Sequence, residues 1–296
     1  MAVFIVDKPL GWTSFDVVAK ARKLLGTKRI GHTGTLDPLA TGVLVLLTDE
    51  STKLVPYLEI ADKDYLAFIS LGASTPTLDA EGPILEIAPA ENISPWRVEE
   101  VLEKFTGKQM QLPPSYSAIH INGQRAYDLA RAGKEVKLEL REVNITRLIL
   151  LGSMDSMQDA HRYSDSQFPT QLGEFLTLTL EISVSSGTYI RSLARDIGLA
   201  LGTVAHLGGL VRTRVGKFNL SQAIALEQLE PSLGLPDLSA LEYPVIELNP
   251  KEARDLKDGK RIPNPNLGRY TVTFEDKLIA IAEADGSSLK ALRVWQ

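Results

Sequence analysis

No cysteine occurs anywhere in the 296 residues, so disulfides and thiolate metal sites are both excluded. Histidine is almost as scarce. His32, His120, His161 and His206 are the whole complement, and no second histidine lies near His32 and Asp37, so no metal is expected. No run approaches the roughly 18 apolar residues that a bilayer span requires. The opening MAVFIVDKP also lacks a basic region followed by a long apolar core, so a cytoplasmic protein without membrane association is expected. Neither a G-x-x-x-x-G-K-[ST] phosphate loop nor a dinucleotide fingerprint is present, which fits chemistry without a cofactor.

Positive charge is also in deficit, with a formal net charge of −5, and on the sum alone that argues against a nucleic-acid partner. The distribution argues otherwise. Between residues 183 and 219, Arg191, Arg195, Arg212, Arg214 and Lys217 face a single acid, Asp196. Lys20, Arg22, Lys23, Lys28 and Arg29 form a second basic cluster. From residue 218 to 250 there is no Lys or Arg, while Glu227, Glu230, Asp237, Glu242 and Glu247 accumulate, so the acidity is segregated.

Between the two basic segments lies the most informative stretch, Gly31-His32-Thr33-Gly34-Thr35-Leu36-Asp37-Pro38-Leu39-Ala40-Thr41-Gly42. It sets one carboxylate in a loop of small and hydroxylic residues directly before the apolar run Val43 to Leu47. Glycine allows positive φ or close backbone approach, and Pro38 biases Asp37 away from the helical region. A rigid turn displaying an acid suits a nucleophile. On composition alone, a tight surface turn that happens to hold Asp explains the stretch equally well.

Elsewhere the periodicity predicts a helix from Ser14, taken as N-cap, through Leu25 with Gly26 as its stop, and a buried strand at Val43 to Leu47. Residues 63–71 alternate as a strand with Tyr65, Ala67, Ile69 and Leu71 on one side. A second helix starts at Ser94-Pro95 and ends at Gly107. Phe175 to Val184 alternates as a strand, and Ile190, Leu193, Ala194, Ile197 and Leu201 trace an amphipathic helix after it. Strands and helices intermix without the period of a doubly wound sheet, so the class is α+β around a mixed or antiparallel sheet flanked by helices. Residues 153–172 read as a polar surface insertion and Glu230 to Pro244 as a linker. Residues 269–274, 278–283 and 289–295 read as short strands of a small β-rich unit.

The Gly31 to Gly42 stretch resembles, without a gap, the G-H-T-G-x-L-D-P-x-A-T-G signature of the tRNA pseudouridine synthase B family, which isomerises uridine 55 in the T loop of tRNA. Further matches follow in family order: Asp7-Lys8-Pro9 with Gly11, Lys63-Asp64-Tyr65, Pro113 to Ala118, and Gly187-Thr188-Tyr189-Ile190-Arg191. The resemblance covers residues 1 to about 220 well and the remainder loosely. It implies a pseudouridine-synthase-like catalytic domain over 1–235 and a PUA-like domain over 245–296. It assigns the nucleophile to Asp37, an ion-pair partner to Arg191 and a base-stacking role to Tyr65, whose hydroxyl is a candidate for removing the C5 proton. Attack on the sugar or on the pyrimidine ring are both open.

By pattern alone Tyr65 is a sheet-face aromatic and Arg191 an exposed helix arginine; the family match is what promotes them. RNA or substrate contacts are assigned to Lys8, His32, Leu210, Tyr116, Tyr127, Arg131 and Tyr189, with His120 standing where the family commonly has lysine. His32 is the candidate for filling the space of the everted base, and Lys8 is expected both to touch RNA and to support the catalytic loop. The implied partner is the T-arm stem-loop of tRNA, bound by a monomer, with no metal or cofactor. A non-catalytic RNA-binding or RNA-folding module and a carboxylate glycoside hydrolase, with Asp79 as its second acid, are the competing readings.

Overall fold

The computed structural model describes residues 1–58, 60–91, 93–117, 120–121, 124–125, 138–154 and 175–295. Eleven elements position the site: β1 Val3–Lys8, α1 Ser14–Leu25, β2 Ile30–His32, β3 Ala40–Thr48, β4 Lys63–Leu71, α2 Pro95–Phe105, β5 Gly107–Gln111, β6 Arg141–Met154, β7 Thr177–Val184, α3 Ile190–Leu201 and β8 Ala205–Val215. One large mixed sheet runs in the order β1-β3-β8-β4-β7-β6-β5, with β2 beside β3 and Ile224–Ala225 extending the β1 edge. All of these pairings are antiparallel except β3 with β8 and β1 with Ile224–Ala225. The protein is thus α+β.

Both faces of this sheet are covered, which is why β1 and β3 read as unbroken apolar runs. Phe4, Val6, Leu44 and Leu46 face Val17, Val18 and Ala21 of α1. Val3, Ile5, Val43, Val45 and Leu47 point the other way, toward Leu241, Ile281 and Trp295. Further along, Tyr65, Ala67, Ile69 and Leu71 share a core with Leu178, Leu180, Ile182 and Val184 under α2 and α3. The alternation expected for β4 and β7 is therefore present.

One helix start differs from expectation. Thr13, not Ser14, caps α1 through a reciprocal box with Asp16. Ser14 is the first helical residue, and its hydroxyl donates to the Leu36 carbonyl and accepts from the Leu36 N–H, so it ties the helix to the loop holding Asp37. Gly26, at φ 65°, ends α1 as expected. Gly42 is required by crowding: in the parallel β3/β8 pair it sits opposite Arg212 at φ 97°. A Cβ there would fall 2.3 Å from the Arg212 carbonyl oxygen.

The presumed linker is packed rather than slack. Leu235 exchanges two backbone hydrogen bonds with Val3, of 2.8 and 2.9 Å, and Ala240 and Leu241 are buried against the back of the sheet. A second, five-stranded sheet follows, built on Leu267–Phe274, Lys277–Asp285 and Ser288–Val294, which contain the expected strands almost completely. The sequence reading missed the helix Pro250–Lys257, which Asn249 caps in a box with Glu252. Strand β6 reaches Met154, so the first two residues of the expected insertion belong to it, and 155–172 lie outside the described residues. Among the described residues no helix is long and apolar enough to cross a membrane.

Candidate active site

Asp37 sits between two buried anchors, Leu36 and Leu39, and so is held without being enclosed: its side chain keeps 39% of its surface exposed. The loop is fastened from beneath. Lys8 is wholly buried, and its ammonium donates to the carbonyls of Pro9, Trp12 and Pro38. The Gly11 N–H donates to the same Pro38 carbonyl. Burial lowers the Lys8 pKa to about 8, against the opposing pull of the Asp37 charge. Support of the loop therefore stands, while the expected direct RNA contact of Lys8 is corrected, since its side chain reaches no solvent.

Arg191, in the first turn of α3, meets Asp37 across the cleft with Nε 3.0 Å from Oδ2. The helix start is set by Gln111, whose amide accepts from the Tyr189 N–H at 2.8 Å and donates to the Tyr189 carbonyl at 3.1 Å. The guanidinium also donates to the carbonyls of Thr77 and Tyr116 and pairs at 3.4 Å with Asp79, which is only 2% exposed. In the sequence Asp79 stood out only as the second acid of the glycoside-hydrolase reading; in the structure it follows a turn over residues 75–78. That turn holds Leu78 at φ 63°, a strained value for leucine, locked by the Leu207 N–H donating to the Leu78 carbonyl and the Ala80 N–H to that of Leu207. The strain aims Asp79 at Arg191.

Two carboxylates therefore share one arginine. Although its outer side stays open, loss of solvent on the cleft side raises the Asp37 pKa above the ordinary carboxylate value; Arg191 opposes this, and Asp79 adds to it. With a raised pKa the ionised fraction grows with pH through that higher value, so kcat/KM is expected to fall on the acid side around a midpoint above the ordinary ~3.9 of aspartate. A profile flat down to about pH 4 would contradict this.

The opposite wall carries Tyr65 on β4 and Leu210 and Arg212 on β8. Tyr65 packs in the core with Ala67 and Ile69, as its pattern suggested, and also lines the cleft. Arg212 stands opposite it in the strand register, and burial raises the Tyr65 pKa against the pull of the Arg212 charge. Arg212, which the sequence showed only as one member of a basic run, is 1% exposed and donates to the carbonyls of Val43 at 2.7 Å and Gly34 at 3.1 Å.

Tyr116, Tyr189 and Leu210 line the cleft of about 480 Å3 with these groups. His32 is not among its lining residues; its Nδ1 accepts from the Gly34 N–H at 3.3 Å, and burial lowers its pKa. Tyr127 and Arg131 lie outside the described residues, as does the side chain of His120. Among the described residues no cluster of three or more His, Asp or Glu is arranged to hold a metal.

Residues 22–190 match the TruB family pseudouridylate synthase N-terminal domain, and residues 191–239 match the tRNA pseudouridylate synthase B C-terminal domain. The chain is 52% identical to the tRNA pseudouridine synthase B of Deinococcus radiodurans, with 100% of both chains covered. It is 47% identical to that of Thermus thermophilus, covering 100% of this chain and 99% of the relative. Among solved structures, a Cbf5-Nop10-Gar1 complex matches with a TM-score of 0.70 at 24% identity, over 100% of this chain and 84% of that one. An H/ACA RNP bound to a substrate RNA containing 2'-deoxyuridine matches with a TM-score of 0.68 at 23% identity, covering 100% and 85%. At these identities the two likenesses concern the fold.

Proposed function

The chain belongs to the TruB family and is a tRNA pseudouridine synthase, an isomerase; from that premise we propose that it converts uridine 55 of the tRNA T loop to pseudouridine, with Asp37 as nucleophile. The observation that carries the proposal is the ion pair of 3.0 Å between Asp37 and Arg191 at the mouth of an open cleft. A uridine stacked in a folded loop reaches a carboxylate only when everted, which costs a few kcal/mol of stacking. Tyr65 and Leu210 offer the everted base an aromatic and an aliphatic wall.

The reaction needs no external electrons or energy. The C1′–N1 bond breaks, the base turns, and C5 joins C1′ as its proton leaves. Asp37 opens it either at C1′ or on the uracil ring, and in both cases the carboxylate loses its negative charge to the base. Arg191 holds the acid in line and keeps a positive charge beside it throughout. No metal or cofactor enters the scheme. On this reading residues 1–235 perform the chemistry, and residues 245–296 act as a PUA-like domain.

The direct test is an unmodified T-arm stem-loop transcript incubated with the protein in a chelator, with pseudouridine mapped by chemical probing. One product at the position equivalent to uridine 55 is expected, with equal yield with and without chelator. Modification at another position, or none on either the stem-loop or full-length tRNA, would remove the proposal.

A further inference from the structure

The cleft contains a cation whose place the reaction scheme above does not explain. Arg212 is buried at 1% exposure, and its hydrogen-bond partners are neutral: the carbonyls of Val43 and Gly34. Among the described residues no carboxylate lies within ion-pair distance of it. Such burial is unfavourable for a guanidinium, which cannot shed its proton, and neutral donors would satisfy two carbonyls as well. The charge itself therefore needs a use.

Its surroundings indicate one. Register pairs Arg212 with Tyr65 on one side and Gly42 on the other, so a single residue of β8 touches the strand bearing the tyrosine and the strand leaving the Asp37 loop. The bare Gly42 is what lets the backbones approach so closely. Because the Arg212 cation is paired beside Tyr65, the phenol's own proton is turned away from it and left to donate into the cleft that Tyr65 lines.

We propose that Arg212 is a positioning residue that acts through Tyr65, fixing the phenol as a hydrogen-bond donor to the uracil ring while that ring carries negative charge. The inference rests on the reading of Asp37 as nucleophile. Attack forms a bond from the carboxylate oxygen to C1′ or to the ring, and the electron pair of the broken C1′–N1 bond, or of the ring double bond, stays on the uracil. One negative charge thus moves from Asp37 toward the wall occupied by Tyr65 and Arg212. A buried cation with no acid of its own stabilises that charge more than one already neutralised. Burial holds the Tyr65 pKa up and Arg212 pulls it down, the combination that keeps a phenol protonated yet a strong donor.

A double-mutant cycle of Arg212→Met and Tyr65→Phe, read by single-turnover rate on the T-arm, tests the coupling. Arg212→Met is expected to slow the wild-type background about 100-fold and the Tyr65→Phe background less than about 3-fold. Equal losses in both backgrounds would overturn the inference and leave Arg212 a sheet residue. Arg212→Lys, which keeps the charge, is expected to lose about 10-fold and show the same coupling, and it replaces the methionine variant if that one fails to fold. A readout free of turnover is the ultraviolet titration of Tyr65, taken as wild type minus Tyr65→Phe: its midpoint should rise in Arg212→Met, and an unmoved midpoint also overturns the inference. Turnover by an Asp37→Asn control would instead defeat the parent reading.

Discussion

Asp37→Asn is expected to leave no measurable turnover, a loss of about 10,000-fold or more, because an amide of the same shape cannot supply the attacking oxygen. Tritium release from C5-labelled T-arm measures it, and RNA affinity should stay within about 3-fold, since shape and phosphate contacts govern recognition. The fold should not suffer. Arg191 keeps Asp79 as its partner, and the raised pKa of Asp37 means that its ionisation weakens the folded state. That penalty is absent below the unfolded pKa and is complete once pH has climbed through the folded one. At neutral pH the asparagine variant should accordingly melt at the same temperature or slightly above. Appreciable tritium release would end the assignment of Asp37.

Arg191→Gln is expected to be nearly as damaging, at about 1,000-fold in turnover, but with a different signature. It removes the cation that opposes burial at Asp37, so the acid limb of the rate profile should move further up in pH. It also strands Asp79, a carboxylate only 2% exposed, which should destabilise the protein by about 3 kcal/mol. The two consequences separate in the double variant Arg191→Gln with Asp79→Asn: melting temperature should recover while activity does not. If stability and turnover recovered together, Arg191 would be a scaffold residue with no part in the chemistry. Arg191→Lys should fall between, because one ammonium cannot reach Asp37, Asp79 and the two carbonyls together.

How much of this the sequence displayed depended on the range of the interaction. Alternation along β4 and β7 and the helical stripe of α3 were legible because they follow local periods of two and 3.6. Asp37 was legible as an acid on a rigid turn, but its meeting with Arg191 is a long-range contact that periodicity cannot show, and only the motif resemblance joined them. Arg212 was illegible for a physical reason. Two residues apart on a regular strand, Arg212 and Arg214 should share a face, yet a register shift between them sends one into the core and the other to Asp64 at the rim.

Ser14 misled through its ordinary preference for N-caps, which its bonds to Leu36 override. Asn249-Pro250 with Glu252 did carry a helix-start signal, but eight residues are too few for a period to reinforce it.

Trp295 and Ile281, from the last sheet, sit in the same apolar layer as Val45 and Leu47 behind the catalytic strands, and Lys53 reaches across to donate to the Val294 carbonyl. The far end of the polypeptide thus works as a wedge rather than a tethered appendage. The two sheets share one apolar layer, so the last sheet cannot swing away without laying Trp295 and Ile281 open to water.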